Sequence, residues 1–209
     1  MYKILILVCM KKKSIVMLSS ITVFFFLITS AWAVNPKKII SIQPLGKVSP
    51  LYIELVKKSV KKFYGYDCYV MPKKEIIKEI LSKVTKRIDA NKTFLLNKNN
   101  SYLLLLTEKD ICYFKDKYRP EYGIFGLGKI NGKTCVISTF RLKKGVSQHK
   151  FLERLKKVAL HEIGHNLGLN HCVNDKICIM NDAKGTIKQV DLEKLWMCDK
   201  CRKKYQNTN

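Results

Sequence analysis

The sequence predicts one mixed α/β (α+β) domain, a sheet with the last long helix beneath it. Three features point there. The run Tyr102-Leu103-Leu104-Leu105-Leu106-Thr107 is continuously apolar at strand length, as a central strand covered on both faces must be. Asn131-Gly132 separates two extended runs and is a strong hairpin signal. From about Gln148 to Leu167 apolar residues recur at helical spacing.

The elements follow in chain order. Ile39-Ile40-Ser41-Ile42 reads as a short buried strand that Pro44 and Gly46 break. Ser49-Pro50 is a helix start, with Ser49 as N-cap and proline in the first turn. Ile53, Val56, Val60 and Phe63 keep helical spacing until Gly65 ends the helix. Cys68-Tyr69-Val70-Met71 is a second strand, stopped by Pro72. Lys73 to about Leu96 reads as helical or irregular. Ile124–Lys129 and Thr134–Thr139 flank the hairpin turn. In the last long helix Phe151, Leu152, Leu155, Val158, Ala159, Ile163 and Leu167 form the buried face. The chain shows no internal repeat and no domain linker.

Composition sets further bounds. A chain of 209 residues, 47% of them hydrophobic, can build one real core and is no disordered polymer. The formal charge of +24 comes from lysines in nearly every segment, which describes a generally basic surface. There is no arginine-rich stripe and no interleaved aromatic pattern, so no nucleic-acid partner is expected.

Lys11-Lys12-Lys13 precede an uncharged run from Ser14 to Ala33 that ends Ala31-Trp32-Ala33. Basic cluster, apolar run and small-x-small site are the layout of a secretory signal. Residues 1–33 are therefore expected to be a cleaved signal peptide and the protein to be exported, periplasmic or extracellular. An uncleaved membrane anchor is the alternative, since the run is near the lower length of a span. The apolar Ile4–Val8 ahead of the lysines fits a signal poorly, and Met10 is the alternative start. Cleavage would remove four lysines and Cys9 of the eight cysteines, lowering the charge from +24 to +20.

The densest chemistry lies in His161-Glu162-Ile163-Gly164-His165-Asn166-Leu167-Gly168-Leu169-Asn170-His171. On a helix His161 and His165 share a face and can reach one metal. Gly168 permits the positive-φ turn that ends a helix and lets the chain return His171 as a third nitrogen. Three protein ligands leave the fourth position of a catalytic zinc open to water. Zinc lowers the pKa of such a water to about 7, and Glu162 can take its proton as general base. His149 lies outside this pattern. Cys172, Cys178, Cys198 and Cys201 follow, the last two as CxxC, a spacing that suits either a four-thiolate zinc site or two disulfides. Cys68, Cys112 and Cys135 are three, so they form at most one pair and otherwise remain thiols.

These motifs resemble the archaemetzincin family, whose pattern is HExxHxxGxxHC, then Cys-x-Met, seventeen residues and CxxC. Cys178-Ile179-Met180 supplies the Cys-x-Met and residues 181–197 the seventeen. Five residues separate Cys172 from Cys178, where the family usually has four. Upstream, Arg87-Ile88-Asp89-Ala90, Thr107–Asp110, Phe125-Gly126-Leu127-Gly128 and Ser138–Leu142 are similar to the family's strand segments.

The resemblance implies a metzincin-like fold: a mixed, mostly parallel twisted sheet over an active-site helix, with a small C-terminal four-cysteine zinc segment. It implies a single metallopeptidase domain over 34–209, with 172–201 as its zinc-bound subdomain, and two Zn2+ per chain. His161, His165 and His171 would hold catalytic zinc, with Glu162 as general base. Cys172, Cys178, Cys198 and Cys201 would hold structural zinc, and Met180 would form the Met-turn. The expected partner is a peptide or protein substrate, added along the edge run Ile124–Lys129 as a further strand. The protein is expected to be a monomer, touching membrane only through an uncleaved N-terminus. Two rival readings stand beside it: a non-catalytic zinc protein whose basic surface binds an acidic partner, and thiol–disulfide exchange at Cys198-Asp199-Lys200-Cys201.

Overall fold

Strand β1 (Ile39–Leu45) and helix α1 (Pro50–Tyr64) open the part of the chain that the computed structural model describes, residues 39–208. The signal-peptide reading of residues 1–33, the start at Met10 and Cys9 lie outside those residues. Next come β2 (Asp67–Val70), β3 (Ile88–Asp89), the one-turn α2 (Ala90–Thr93) and β4 (Leu103–Thr107). Then follow β5 (Ile111–Tyr113), β6 (Tyr122–Ile124), β7 (Gly126–Gly128) and β8 (Thr134–Ser138). Three helices end the chain: α3 (Gln148–Asn166), α4 (Ile187–Leu192) and α5 (Asp199–Thr208).

The main sheet has the order β2-β1-β4-β8-β7. Its first four strands are parallel, and β7 runs antiparallel at the edge. A small sheet, β3-β5-β6, lies beside it. The expected mixed, mostly parallel α/β fold is borne out.

All five residues of β4 are buried, and their alternation shows why the run is continuously apolar. Leu104 and Leu106 enter the cluster built on α1 and α3, with Val60, Phe151, Leu155 and Ile163. Leu103 and Leu105 enter a second cluster with Ile80, Ile88 and Ile111. Each such leucine removed from water contributes about 1.5–3 kcal/mol. Helix α1 crosses α3 through the edge-to-face pair Tyr52–Phe151 at 5.1 Å. Its C-terminus adds a hydrogen bond from Tyr64 Oη to the Leu160 carbonyl, 2.8 Å.

Three expectations change. Strand β1 does not break at Pro44 but pairs through Pro44↔Leu106 and Leu45↔Thr107. Ile42 and Pro44 turn their carbonyls towards the β2 side, accepting from Met71 and Lys74. There β2 has already ended at Val70, so the missing proline N–H removes no ladder bond. Ser49 stands at the N-cap of α1, yet its side chain caps nothing; its N–H donates to Glu108 Oε1, 2.8 Å. The run Ile124–Lys129 is two strands. Ile124 pairs with Ile111 in the small sheet and Gly126 with Ile137 in the main one, the chain changing sheets at Phe125. The segment 73–96, read as helical or irregular, is mostly irregular and carries β3, α2 and short 3-10 turns. Among the described residues no helix is long and apolar enough to cross a membrane.

Candidate active site

Helix α3 is set by its own ends and by two buried cations. The Ser147 side chain accepts the Lys150 N–H at its N-terminus, 3.3 Å. Arg154, buried, donates to both oxygens of Asp191 at 2.8 and 2.7 Å and to the Leu142 carbonyl at 3.0 Å. Lys157 Nζ donates to the Val190 carbonyl, 2.9 Å. Together they tie α3 to α4.

The helix closes in a Schellman motif. Gly168 N–H bonds the His165 carbonyl and Leu169 N–H the Gly164 carbonyl, with Gly168 at φ 89°. The hairpin turn locks this end. Asn131, at φ 57°, donates its N–H to the His165 carbonyl, 2.9 Å. The Asn166 amide donates back to the Lys129 and Thr134 carbonyls, 3.0 and 3.1 Å.

After this turn His171 comes back beside the helix. Its ring centroid lies 5.3 Å from that of His161 and 4.7 Å from that of His165. Nδ1 of His161 faces the Ile179 carbonyl and Nδ1 of His165 the Leu169 carbonyl, each at 2.7 Å. Both Nδ1 atoms therefore carry the proton and both Nε2 lone pairs are free, 3.0 Å apart. A tetrahedral zinc with ordinary bonds wants its nitrogens about 3.4 Å apart, so the donor set fits. Burial, then the neighbouring imidazole, pushes His161 down to about 3. Burial pushes His165 down to about 4. Both are neutral ligands at neutral pH. His149 is exposed in the first turn of α3, apart from this group.

Glu162 is pressed against β7. An added Cβ at Gly126 would stand 2.7 Å from Glu162 Cγ, and one at Gly128 2.4 Å from the Glu162 carbonyl oxygen. Only a strand with glycine at both places can lie this close to the helix. Burial pushes the Glu162 carboxyl up to about 8, while the Gly128 N–H bonded to it pulls down and Glu193 pushes up. Gly164 serves a matching purpose on the other side of α3. A Cβ there would meet Met180 Sδ at 2.5 Å, so the fully buried Met180 packs directly against the helix at Gly164.

The four cysteines Cys172, Cys178, Cys198 and Cys201 are buried thiols whose sulfurs all lie within 4.8 Å of one another. Cys172 Sγ and Cys198 Sγ are 3.6 Å apart, close to the roughly 3.8 Å of a tetrahedral zinc–thiolate site and far from a disulfide. Burial opposes ionisation of Cys172, but the Asn174 and Asp175 N–H groups and the thiols of Cys198 and Cys201 outweigh it. Cys178 is pushed up to about 11 by burial. The cluster fixes the segment that supports the histidines: Cys172 N–H bonds the Met180 carbonyl, 2.6 Å, and Ile179 N–H the Trp196 carbonyl, 2.8 Å. Cys68, Cys112 and Cys135 are free thiols.

A cleft of about 540 Å³ opens over the histidines, between β7 on one side and residues 182–193 on the other. Sequence reasoning gave no role to Gly126, Gly128 or Gly164 and did not find Glu193, which also lines the cleft. A glycine inside a helix costs about 1 kcal/mol against alanine, which marks Gly164 as a position needing a reason.

Comparison with known proteins agrees with this arrangement. Residues 103–207 match the family described as peptidase family M54. An archaemetzincin of Methanocaldococcus jannaschii is 34% identical over 176 residues, 80% of this chain and 93% of the relative. An archaemetzincin of Haloarcula marismortui is 37% identical over 108 residues, 48% of this chain; there the match spans only 58% of the relative's length. The crystal structure of archaemetzincin from Archaeoglobus fulgidus, complexed with malonate, superposes with a TM-score of 0.70 at 28% identity. It covers 79% of this chain and 99% of its own.

Proposed function

The chain belongs to peptidase family M54, the archaemetzincins, and from that premise we propose that it is a zinc metallopeptidase hydrolysing peptide bonds in peptide or protein substrates. The observation that carries the reading is the meeting of three imidazoles with a carboxylate held beside them by an edge strand. Zinc bound by His161, His165 and His171 would acidify water and polarise the scissile carbonyl.

The protein's own groups supply the rest. Glu162 accepts the proton of the attacking water and passes it to the leaving amine. Gly128 N–H orients that carboxylate. The outer edge of β7 offers backbone groups on which an extended peptide aligns as a further strand. Met180 forms the floor under His161 and His165. The Ile179 and Leu169 carbonyls hold the two imidazoles in the ligating tautomer. Cys172, Cys178, Cys198 and Cys201 would hold a second zinc, whose chemistry there would be structural: it would anchor the segment from His171 to Met180. The protein works as a monomer with two Zn2+.

The reading extends to location. Residues 1–33 act as a cleaved signal, and the 34–209 domain, with 172–201 as its zinc-bound subdomain, functions after export. A mature N-terminus at Val34 supports this. Retention of residues 1–33 on a membrane-bound chain contradicts it.

Catalysis is tested by stripping zinc from the purified chain with a chelator and restoring it, with a mixed peptide library as substrate. Cleavage that disappears and returns with the metal supports the proposal. Salt-dependent binding to polyanions without cleavage would support the rival zinc-binding reading.

A further inference from the structure

Glu193 follows α4 and lines the same cleft as His161, Glu162 and His165. It is only 3% exposed, and its Oε1 has no hydrogen-bond partner among the described residues. No cation stands within ion-pairing distance of it there either. Lys157 is its nearby positive charge, but that ammonium is spent on the Val190 and Asp191 carbonyls, 2.9 and 3.3 Å. The lysines of the cleft, Lys115 and Lys184, sit exposed on its rim. A buried carboxyl with an orphan oxygen is costly, and such a group is retained where something arrives to pair with it.

We infer that Glu193 is a specificity-determining residue of the cleft, receiving a cationic group of the substrate, the ammonium or guanidinium of a lysine or arginine side chain beside the scissile bond. This rests on the peptidase reading and names the substrate class for that same site. Val158 and Val190, which also line the cleft, suit the aliphatic stem of such a side chain. Burial pushes the Glu193 carboxyl up to about 8, with Gln189 and Lys157 pulling down and Asp182 pushing up. Burial thus keeps the group largely neutral at pH 7, and an arriving cation favours its ionisation. The α-ammonium at a peptide's N-terminus offers the same chemistry from a second source.

The test uses N-terminally acetylated peptides differing only by lysine or norleucine at each position around the cleaved bond, and the same set with free N-termini. Turnover is measured with the zinc-loaded wild type and Glu193→Gln. Binding of the same peptides is measured on Glu162→Ala, so that selectivity is read without catalysis. The expected result is a lysine preference of about tenfold or more in the wild type, collapsing towards unity in Glu193→Gln. A preference set by the free N-terminus instead of the side chain, and lost in Glu193→Gln, assigns the cation to the α-ammonium. Equal handling of charged and neutral peptides by the wild type, or a preference that survives Glu193→Gln, overturns the inference. If no peptide is cleaved, the peptidase reading fails, and the binding arm still decides the role of Glu193.

Discussion

Gly128→Ala tests whether the edge strand and the general base form one unit. The added Cβ stands 2.4 Å from the carbonyl oxygen of Glu162 and 3.2 Å from its carbonyl carbon. These are backbone atoms of α3, which cannot rotate out of the way as a side chain would. The strand must rise by roughly 0.6–1 Å to restore ordinary contact in a close-packed interior. That rise draws the Gly128 N–H away from the Glu162 carboxylate and weakens a charge-assisted hydrogen bond. Overpacking of this size costs about 1–3 kcal/mol, or a fall in Tm of about 3–10 °C for a chain of this length. A misplacement near 1 Å in the reacting groups costs about 10²-fold in rate. The expected outcome is kcat/KM reduced about 10²-fold on the best peptide substrate, with an unchanged far-UV spectrum. Gly65→Ala is the control. Gly65 sits at the C-cap of α1 with φ 77° and open space around an added Cβ. Its loss costs about 1–2 kcal/mol through φ alone and leaves kcat/KM unchanged. Wild-type activity in Gly128→Ala, or an equal loss in Gly65→Ala, would refute the reasoning.

Further outcomes follow from the packing and the charges. Leu104→Ala, in a fully buried position of the central strand, lowers stability by about 2–5 kcal/mol in urea unfolding. Cys201→Ser opens the thiolate cluster and frees the Ile179–Met180 segment; it is expected to lower Tm by at least about 6 °C and to cut the zinc content measured by atomic absorption by one per chain. Asp191→Asn removes the negative charge facing the buried Arg154 guanidinium, leaving it one amide oxygen and the Leu142 carbonyl, and costs about 2–3 kcal/mol at pH 7, discounted for the partly exposed carboxylate. Arg154 holds the Asp191 carboxyl below its usual 3.8, burial opposes this and Lys150 assists. A depressed folded pKa contributes stability above the unfolded value that is lost as pH falls through the folded one. The margin of wild type over Asp191→Asn in urea is therefore full at pH 7 and shrinks below about pH 3.8.

What the sequence disclosed was what spacing along the chain can encode. His161 and His165 share a helix face, Gly168 has to turn the chain, and β4 has to be covered on both sides. Each of these is a local pattern with one economical solution. What it concealed depends on parts of the chain that meet only in the folded protein. Gly128 matters because Glu162, 34 positions later, lies under it, and Arg154 finds Asp191 across a separation of 37 residues. Pro44 reads as a breaker in any local analysis, yet β2 ends just where its missing N–H would be needed. The run 124–129 divides because two sheets compete for it, and no periodicity records that competition. Strands β3, β5 and β6, of two or three residues, are too short for an alternation to show. Glu193 carries no motif; only its burial in the cleft marks it.

The central claim is that zinc held by three histidines works with Glu162 to hydrolyse peptide bonds. The most direct measurement sets the purified chain beside Glu162→Ala on a mixed peptide library, with zinc content confirmed equal in both. The account predicts cleavage by the first and a rate lower by about 10²-fold or more in the second. Equal cleavage by the two proteins would contradict it.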